Sequence, residues 1–327
     1  MQHFFSEIAE RPVSFLPKDH PFKTVRDWLR FGASRLGEGE VDCSSGQQNP
    51  MEEARFLIAK ALHLPHPLPD ELLDAALLPE EGKRVADWLR WRIEDRVPAA
   101  YLAKEAWFDG LSFYVDERVL IPRSLFENLF SEVLPEFALP LATRRILEIG
   151  TGSGAIAVAL ALHYPEAEIV ATDISADALA VAAHNIQLHD QEGHIELRLG
   201  DLFEPIAEHE RFDLIVSNPP YVSDAEMADR PPEYRHEPDL ALAAGEDGLE
   251  VVIRLLEQSA HHLNDCGYLM VEVGFDAQSI LENRLPEGTI DWLPMPFEGS
   301  GVFAVDRSRL NGTAWRDLLA APEDLMA

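Results

Sequence analysis

Positive charge is what this chain has least of: 27 Lys and Arg stand against 58 Asp and Glu, a formal net charge of -31. Such a balance repels phosphate backbones and anionic lipid at long range. It therefore disfavours free nucleic acid and membranes as partners and favours a basic protein, and it also fits a purely solubilising surface. Cysteine is scarce too. Cys43 and Cys266 lie far apart, in neither a metal-ligand spacing nor a disulfide framework, so a reducing, cytoplasmic location is expected. No window approaches the roughly 20 apolar residues of a membrane span, and the opening MQHFFSEIAERP carries acids early without an apolar signal core. The histidines at His63/His66 and His261/His262 lack acidic or thiol partners at ligand spacing, so no metal site is expected. Internal repeats and low-complexity tracts are absent.

What is present is enough apolar sequence, 46% of 327 residues, for one full core with room for a second domain. Before about residue 105, TVRDWLRFGASRLGE, NPMEEARFLIAKALHL and GKRVADWLRWRIEDRVPAAYL repeat apolar residues at helical spacing between Pro and Gly breakers. Residues 1–105 thus read as a small N-terminal helical domain that recognises substrate. From AWFDGLSFYVDERVLI the period falls towards two, with Asp109-Gly110 at a turn position, so residues 106–122 read as a linking β-hairpin. Residues 123–307 alternate strand and helix patterns in the manner of a parallel sheet covered on both faces. RRILEIG, AEIVATD, IELRLGD, FDLIVSN, GYLMVEVG, TIDWLPM and GVFAVDR are the predicted strands of this α/β, Rossmann-like domain. Residues 308–327 read as a poorly tied C-terminal tail.

Right-handed crossovers bring the carboxyl ends of the first, second and fourth of these strands to one edge, where ligands bind in such sheets. LEIGTGSG ends the first strand, and Gly150, Gly152 and Gly154 remove side chains where backbone must approach a ligand. Glycines at strand-to-helix turns also serve packing alone. The spacing here is G-x-G-x-G rather than the G-x-G-x-x-G of a dinucleotide pyrophosphate site, and Glu148 just before it would repel an anion. A nucleoside without phosphates, or a cationic one, is implied. Asp173, ending the second strand in VATDIS, stands where a carboxylate accepts from ribose hydroxyls, although it could instead cap the next helix. Asp201, in LGDLF, could accept from an adenine amino group or be a plain cap.

The fourth strand, FDLIV, runs into SNPPYV, where Pro219 and Pro220 cannot donate to a sheet and must turn the chain out of it. LEIGTGSG, ATDIS, GDLF and SNPPYV in this order resemble the S-adenosylmethionine-dependent methyltransferases that modify planar amide or amino nitrogens. VLIPRS and the helical leader resemble more specifically the glutamine methyltransferases of translation proteins. DWLRFGASRL, AYLAKEAWFDGLSFYVDERVLIPRS, PEYRHEPDLALAAGEDGL and GVFAV resemble the bacterial branch that acts on ribosomal protein three of the large subunit. The release-factor branch continues Pro-Arg-Pro-Glu-Thr-Glu, whereas this chain has PRSLFE. Its Leu125-Phe126-Glu127-Asn128 also departs from the ribosomal-protein branch.

The resemblance implies an S-adenosylmethionine site made by Glu148, Gly150, Thr151, Gly152, Gly154, Asp173, Ile174, Asp201, Leu202 and Asn218. It implies an acceptor site of Asn218, Pro219, Pro220 and Tyr221, with Asn218, Pro219 and Tyr221 catalytic and no metal. S-adenosylhomocysteine is then the second product, and a basic ribosomal protein met before or during assembly is the partner. PPEYRHEP is a candidate substrate-covering loop. Release-factor methylation, transfer to a nucleobase amino group and a non-catalytic adaptor are the competing readings. The acidic balance disfavours the nucleobase, and the intact glycine loop, Asp173 and Asn218 disfavour the adaptor.

Overall fold

The computed structural model describes residues 15–16, 20–44, 46, 49–130, 143–294 and 301–320. The chain divides into two compact units, Met1–Ala103 and Lys104–Ala327. The first is helical, as its periodicity predicts, with α1 (Val25–Glu38), α2 (Pro50–Ala61) and α3 (Pro79–Ile93). Thr24 and Asp27 form a reciprocal capping box at the start of α1, and the Asn49 side chain accepts from the first amides of α2, so both helices start where the polar caps stand. Trp28 and Leu36 of α1, Leu57 and Ile58 of α2, and Val85 and Leu89 of α3 are buried. Among them lies one buried ion pair, Arg92 to Glu53 at 2.5 Å, where the guanidinium also donates to the Asp42 carbonyl.

The second unit opens with the hairpin β1 (Ala106–Phe108) and β2 (Leu111–Phe113). Asp109 and Gly110 both take positive φ, 51° and 72°, the combination that a two-residue hairpin turn with the natural strand twist requires. Glu127 accepts from the Asp109 amide at 2.9 Å, which gives that unusual residue a structural place.

Seven further strands form one sheet: β3 (Arg145–Ile149), β4 (Glu168–Asp173), β5 (Ile195–Leu199), β6 (Phe212–Ser217), β7 (Leu263–Val273), β8 (Asp291–Trp292) and β9 (Gly301–Asp306). Their order is β5-β4-β3-β6-β7-β9-β8, with β3 to β7 parallel and β9 antiparallel to both its neighbours. The strand predicted in TIDWLPM is confined to Asp291–Trp292, and its end, with residues 295–300, lies outside the described residues. Helices α4 (Ala155–His163), α5 (Ala176–Leu188), α6 (Glu250–Ser259) and α7 (Phe275–Arg284) cover the faces.

Two cores follow from strand alternation. Ile146, Leu214, Val216, Val302 and Ala304 point into one, while Leu147, Ile149, Ile215, Phe303 and Val305 point into the other. Sequence order runs from β3 through β4 to β5 on one side and resumes at β6 on the other. The carboxyl ends of β3, β4 and β6 therefore border the crevice at which the topology reverses.

The C-terminal segment corrects the sequence reading. Residues after Arg307 do not form a loose tail as far as Ala320. Arg307–Leu310 and Trp315–Leu319 are short helices, Trp315 is 0% exposed, and Leu310 and Leu319 join it in the core beside α6 and β7. Arg284 donates to the Leu319 carbonyl at 2.6 Å. Asn311-Gly312 splits the segment, and each helix is too short for its apolar residues, Leu310 in one and Trp315, Leu318 and Leu319 in the other, to establish a period. Trp315→Ala should lower the unfolding free energy by about 3–5 kcal/mol through loss of burial and cavity formation. Urea titration checks this, and an unchanged midpoint would remove Trp315 from the core.

Candidate active site

A cavity of about 280 Å³ opens at the switch point. Gly150, Thr151, Gly152, Asp173, Ile174, Asp201, Leu202, Asn218, Pro219 and Pro220 all line it. Strand ends far apart in sequence thus deliver ten of the residues singled out above to one wall system.

The glycine loop is shaped by its neighbours. Gly150, Gly152 and Gly154 have φ of 77°, 54° and 80°, a left-handed run that side chains strain. Beside Gly150 and Gly152 there is open space, whereas a Cβ on Gly154 would sit 3.2 Å from Ala182. Gly154 therefore does not line the cavity; it lets α4 approach α5. Asp173 fixes the loop from β4: one carboxylate oxygen accepts from the Gly152 amide and the other from the Ser175 amide, both at 2.8 Å. Burial pushes this carboxyl up from its ordinary pKa while those amides hold it back. Each oxygen retains capacity for another donor.

Glu148, one residue before Ile149 at the end of β3, is 1% exposed and lies behind the loop rather than on the cavity wall. Its Oε2 accepts from the Thr151 hydroxyl at 2.6 Å, and its Oε1 is buried with no partner among the described residues. Burial pushes its pKa up to about 8, and the nearby Asp173 charge adds to the shift. Asp201 is engaged by Arg254, 2.6 Å away, and both border the cavity. Leu202 holds a left-handed φ of 49°, a strained conformation at the cavity wall.

Asn218 follows the last residue of β6. Ser217 ties that strand end to β3 by donating to the Ile149 carbonyl at 2.8 Å. The Asn218 side chain is half-buried at the wall, and among the described residues it makes no hydrogen bond. Pro219 is buried, so the corner is rigid both covalently and by packing. Tyr221 is not on the wall. Its ring packs on Gly274, where a Cβ would stand 2.8 Å from it, and burial raises its phenol pKa.

Sequence reasoning missed several lining residues. Pro122, Arg123 and Ser124 come from VLIPRS and Leu240 from PEYRHEPDLALAAGEDGL, stretches used above only as resemblances, and Arg254 carried no motif. Nor was Asn185 foreseen: fully buried on α5, it accepts from the Tyr114 amide and donates to the carbonyls of Tyr114 and Ser153, tying the chain after the hairpin to the glycine loop. PPEYRHEP is no inert surface loop. Its buried Glu237 accepts from the Ile121 amide at 3.1 Å and from Arg123 at 2.9 and 3.0 Å, and Pro238 lines the cavity.

A Rossmann-like sheet with a glycine loop and an Asn-Pro-Pro-Tyr corner at its switch point defines a methyltransferase, and the family model for the methyltransferase small domain matches residues 127–230. The chain is 40% identical over 301 residues to the ribosomal protein uL3 glutamine methyltransferase of Burkholderia pseudomallei, covering 90% of this chain and 98% of that one. It is 41% identical over 290 residues to the protein of the same name in Bordetella pertussis, covering 88% and 97%. With the Neisseria gonorrhoeae protein the identity is again 41%, covering 88% and 96%. The chain belongs to the family of ribosomal protein uL3 glutamine methyltransferases.

The raised carboxyl of Glu148 has a consequence for stability. The unfolded chain ionises this group near its ordinary value, while the folded protein keeps the proton to about pH 8. Its contribution is therefore fully present below the ordinary pKa and is lost as pH rises to about 8. Glu148→Gln, which keeps an acceptor for Thr151, should gain on the wild type by up to about 1.4 kcal/mol per pH unit across that window. Urea unfolding between pH 5 and pH 8.5 measures the difference, and parallel pH slopes would show that Glu148 is not held protonated.

Proposed function

We propose that this enzyme transfers a methyl group from S-adenosylmethionine to the side-chain amide nitrogen of a glutamine in ribosomal protein uL3, in the cytoplasm and before or during ribosome assembly. The observation that carries the reading is Asn218: an amide with no hydrogen-bond partner among the described residues, beside a double proline, on the wall of the cavity that the glycine loop and Asp173 also line. The names of the relatives support the acceptor. The net charge of -31 suits a basic ribosomal protein better than free nucleic acid. We assign acceptor recognition to the helical unit ending at Ala103.

The cavity fits the cofactor on its own features. It is large enough for a nucleoside, it offers open space beside Gly150 and Gly152, and it places two carboxylates, Asp173 and Asp201, at the ends of successive strands. Asp173 would accept from the ribose, Asp201 would face the base with Arg254, and Ile174 and Leu202 would supply apolar contact. S-adenosylmethionine supplies a methyl group activated by its sulfonium sulfur.

The protein's task is the acceptor. A glutamine amide nitrogen is a poor nucleophile because its lone pair is delocalised into the carbonyl, and a general base does little for it. Fixing the nitrogen in line with the methyl group, in a geometry that frees the lone pair, is catalysis by position and electrostatics. The Asn218 Oδ1 and the Pro219 carbonyl are each able to accept one amide hydrogen. The prolines keep both acceptors from moving. The proton leaves the methylated nitrogen afterwards.

Two measurements divide the reading. Asp173→Ala should weaken S-adenosylmethionine binding by about 1–3 kcal/mol through loss of charge-assisted hydrogen bonds, and calorimetry giving the wild-type affinity would take Asp173 out of the site. Asn218→Ala should lower turnover by roughly two orders of magnitude or more while cofactor affinity survives. The assay offers labelled S-adenosylmethionine with unassembled uL3, release factor and an adenine-containing oligonucleotide in parallel. Label on the oligonucleotide alone would overturn the glutamine reading.

A further inference from the structure

Two of the buried acids neither bond the glycine loop nor line the cavity themselves: Glu237 and Glu272. Both reach the same short stretch. Ile121 to Ser124 runs past the cavity without regular secondary structure, with Pro122, Arg123 and Ser124 on its wall. Arg123 is held by Glu237 at 2.9 and 3.0 Å. Immediately after it, the Ser124 hydroxyl donates to Glu272 Oε2 at 2.5 Å and the Leu125 amide donates to the same oxygen at 2.9 Å.

Glu272 lies near the end of β7, two residues before Gly274, the glycine that seats the Tyr221 ring. It is 2% exposed. Its opposite residue on β9 is Val302, so no charge faces it from within the sheet on that side. Its hydrogen-bond partners are the Ser124 hydroxyl and the Leu125 amide, and the Arg123 guanidinium and the Tyr221 phenol belong to its electrostatic surroundings. Arg230 and Tyr234 stand further out, with Tyr234 under both guanidiniums, 4.8 Å from Arg123 and 4.6 Å from Arg230. The end of β7 thus meets two segments that both supply the cavity wall: Glu272 bonds Ser124 and Leu125, and Gly274 seats the Tyr221 ring that follows Asn218 to Pro220.

We infer that Glu272 is a positioning residue for methyl transfer: from behind the wall it locks the Ile-Pro-Arg-Ser segment and the Asn-Pro-Pro-Tyr corner into one acceptor pocket. The inference rests on the glutamine reading above. Glu272 and Tyr221 do not line the cavity, so their effect reaches the acceptor only through Ser124 and the proline corner. Replacing any of these contacts by a weaker one loosens the spacing between the two walls. The cofactor half of the cavity, built by Asp173 and the glycine loop, shares no hydrogen bond with Glu272. Acceptor use and cofactor affinity should therefore separate.

Burial pushes the Glu272 pKa up to about 7, opposed by the Ser124 and Leu125 hydrogen bonds, the Tyr221 phenol and Arg123. The ionised carboxylate is the stronger acceptor for the two bonds that Ser124 and Leu125 give to Oε2, so the lock weakens as pH falls through this value.

The test uses the full-length enzyme, unassembled uL3 and labelled S-adenosylmethionine. In Glu272→Gln, kcat/KM for uL3 should fall by roughly ten- to a hundredfold while the calorimetric Kd for S-adenosylmethionine stays within about twofold. The wild-type profile of kcat/KM should show a limb falling below about pH 7, and that limb should be missing in the variant. Ser124→Ala and Tyr221→Phe bury no unpaired charge and provide variants that fold if Glu272→Gln does not. Each should lower kcat/KM severalfold, and together they should cost less than the product of their separate effects, because both act through the end of β7. Wild-type kcat/KM and pH profile in Glu272→Gln, or independent effects in the Ser124/Tyr221 pair, would overturn the inference. A wild-type enzyme that places no label on uL3 overturns the glutamine reading and the inference with it.

Discussion

Carboxylates that have been taken out of water must be satisfied by something, and at one edge of this sheet that requirement organises the loops. Glu148, Asp173, Glu237 and Glu272 are all buried there. A carboxylate without hydrogen bonds is costly in such surroundings, so each acid gathers backbone amides, hydroxyls or a guanidinium around it. Asp173 shapes the glycine loop, Glu148 holds Thr151, Glu237 holds Arg123, and Glu272 holds Ser124 and Leu125. In a protein so rich in acid the surface has carboxylates to spare. The few that are buried do the structural work at the site.

The arrangement divides the cavity into halves with different physics. On the β3 and β4 side, left-handed glycines whose loop is tied to Thr172 and Asp173 form a backbone cradle with open space beside Gly150 and Gly152. On the β6 side the chain is stiffened by two prolines, a buried Pro219 and a tyrosine ring seated on a glycine. A cofactor that carries its own activated group needs little more than binding. An unreactive amide needs a fixed geometry, and rigidity is found on the side where the proposed reaction needs it.

Helices, strands and their order were legible because they rest on local rules: period 3.6 before Ala103, alternation or continuous apolar runs after Arg145, and Asp-Gly at a two-residue turn. Ten lining residues were legible for a related reason, since strand-end motifs in an open parallel sheet converge on the switch point whatever the details. Arg254 was not, because nothing in its sequence neighbourhood marks it, and Leu240 stood only within a stretch of family resemblance; packing brings both to the cavity. The C-terminal segment was misread for a similar cause: Leu310, Trp315 and Leu319 anchor it from two helices too short to show a period.

The sequence alone determined the class of fold, the place of the glycine loop, the acids that close β4 and β5, and the proline corner after β6, because each is dictated by backbone chemistry within a few residues. Tertiary structure decided which of these face the cavity. It turned Tyr221 and Gly154 away from it, set Glu148 behind the loop, gave Asp201 to Arg254, and joined Ser124 to Glu272 across 148 positions of chain. The reason is that side-chain direction and ion pairing depend on what the rest of the chain packs against. A motif fixes where a residue stands along its strand but leaves open what it meets there.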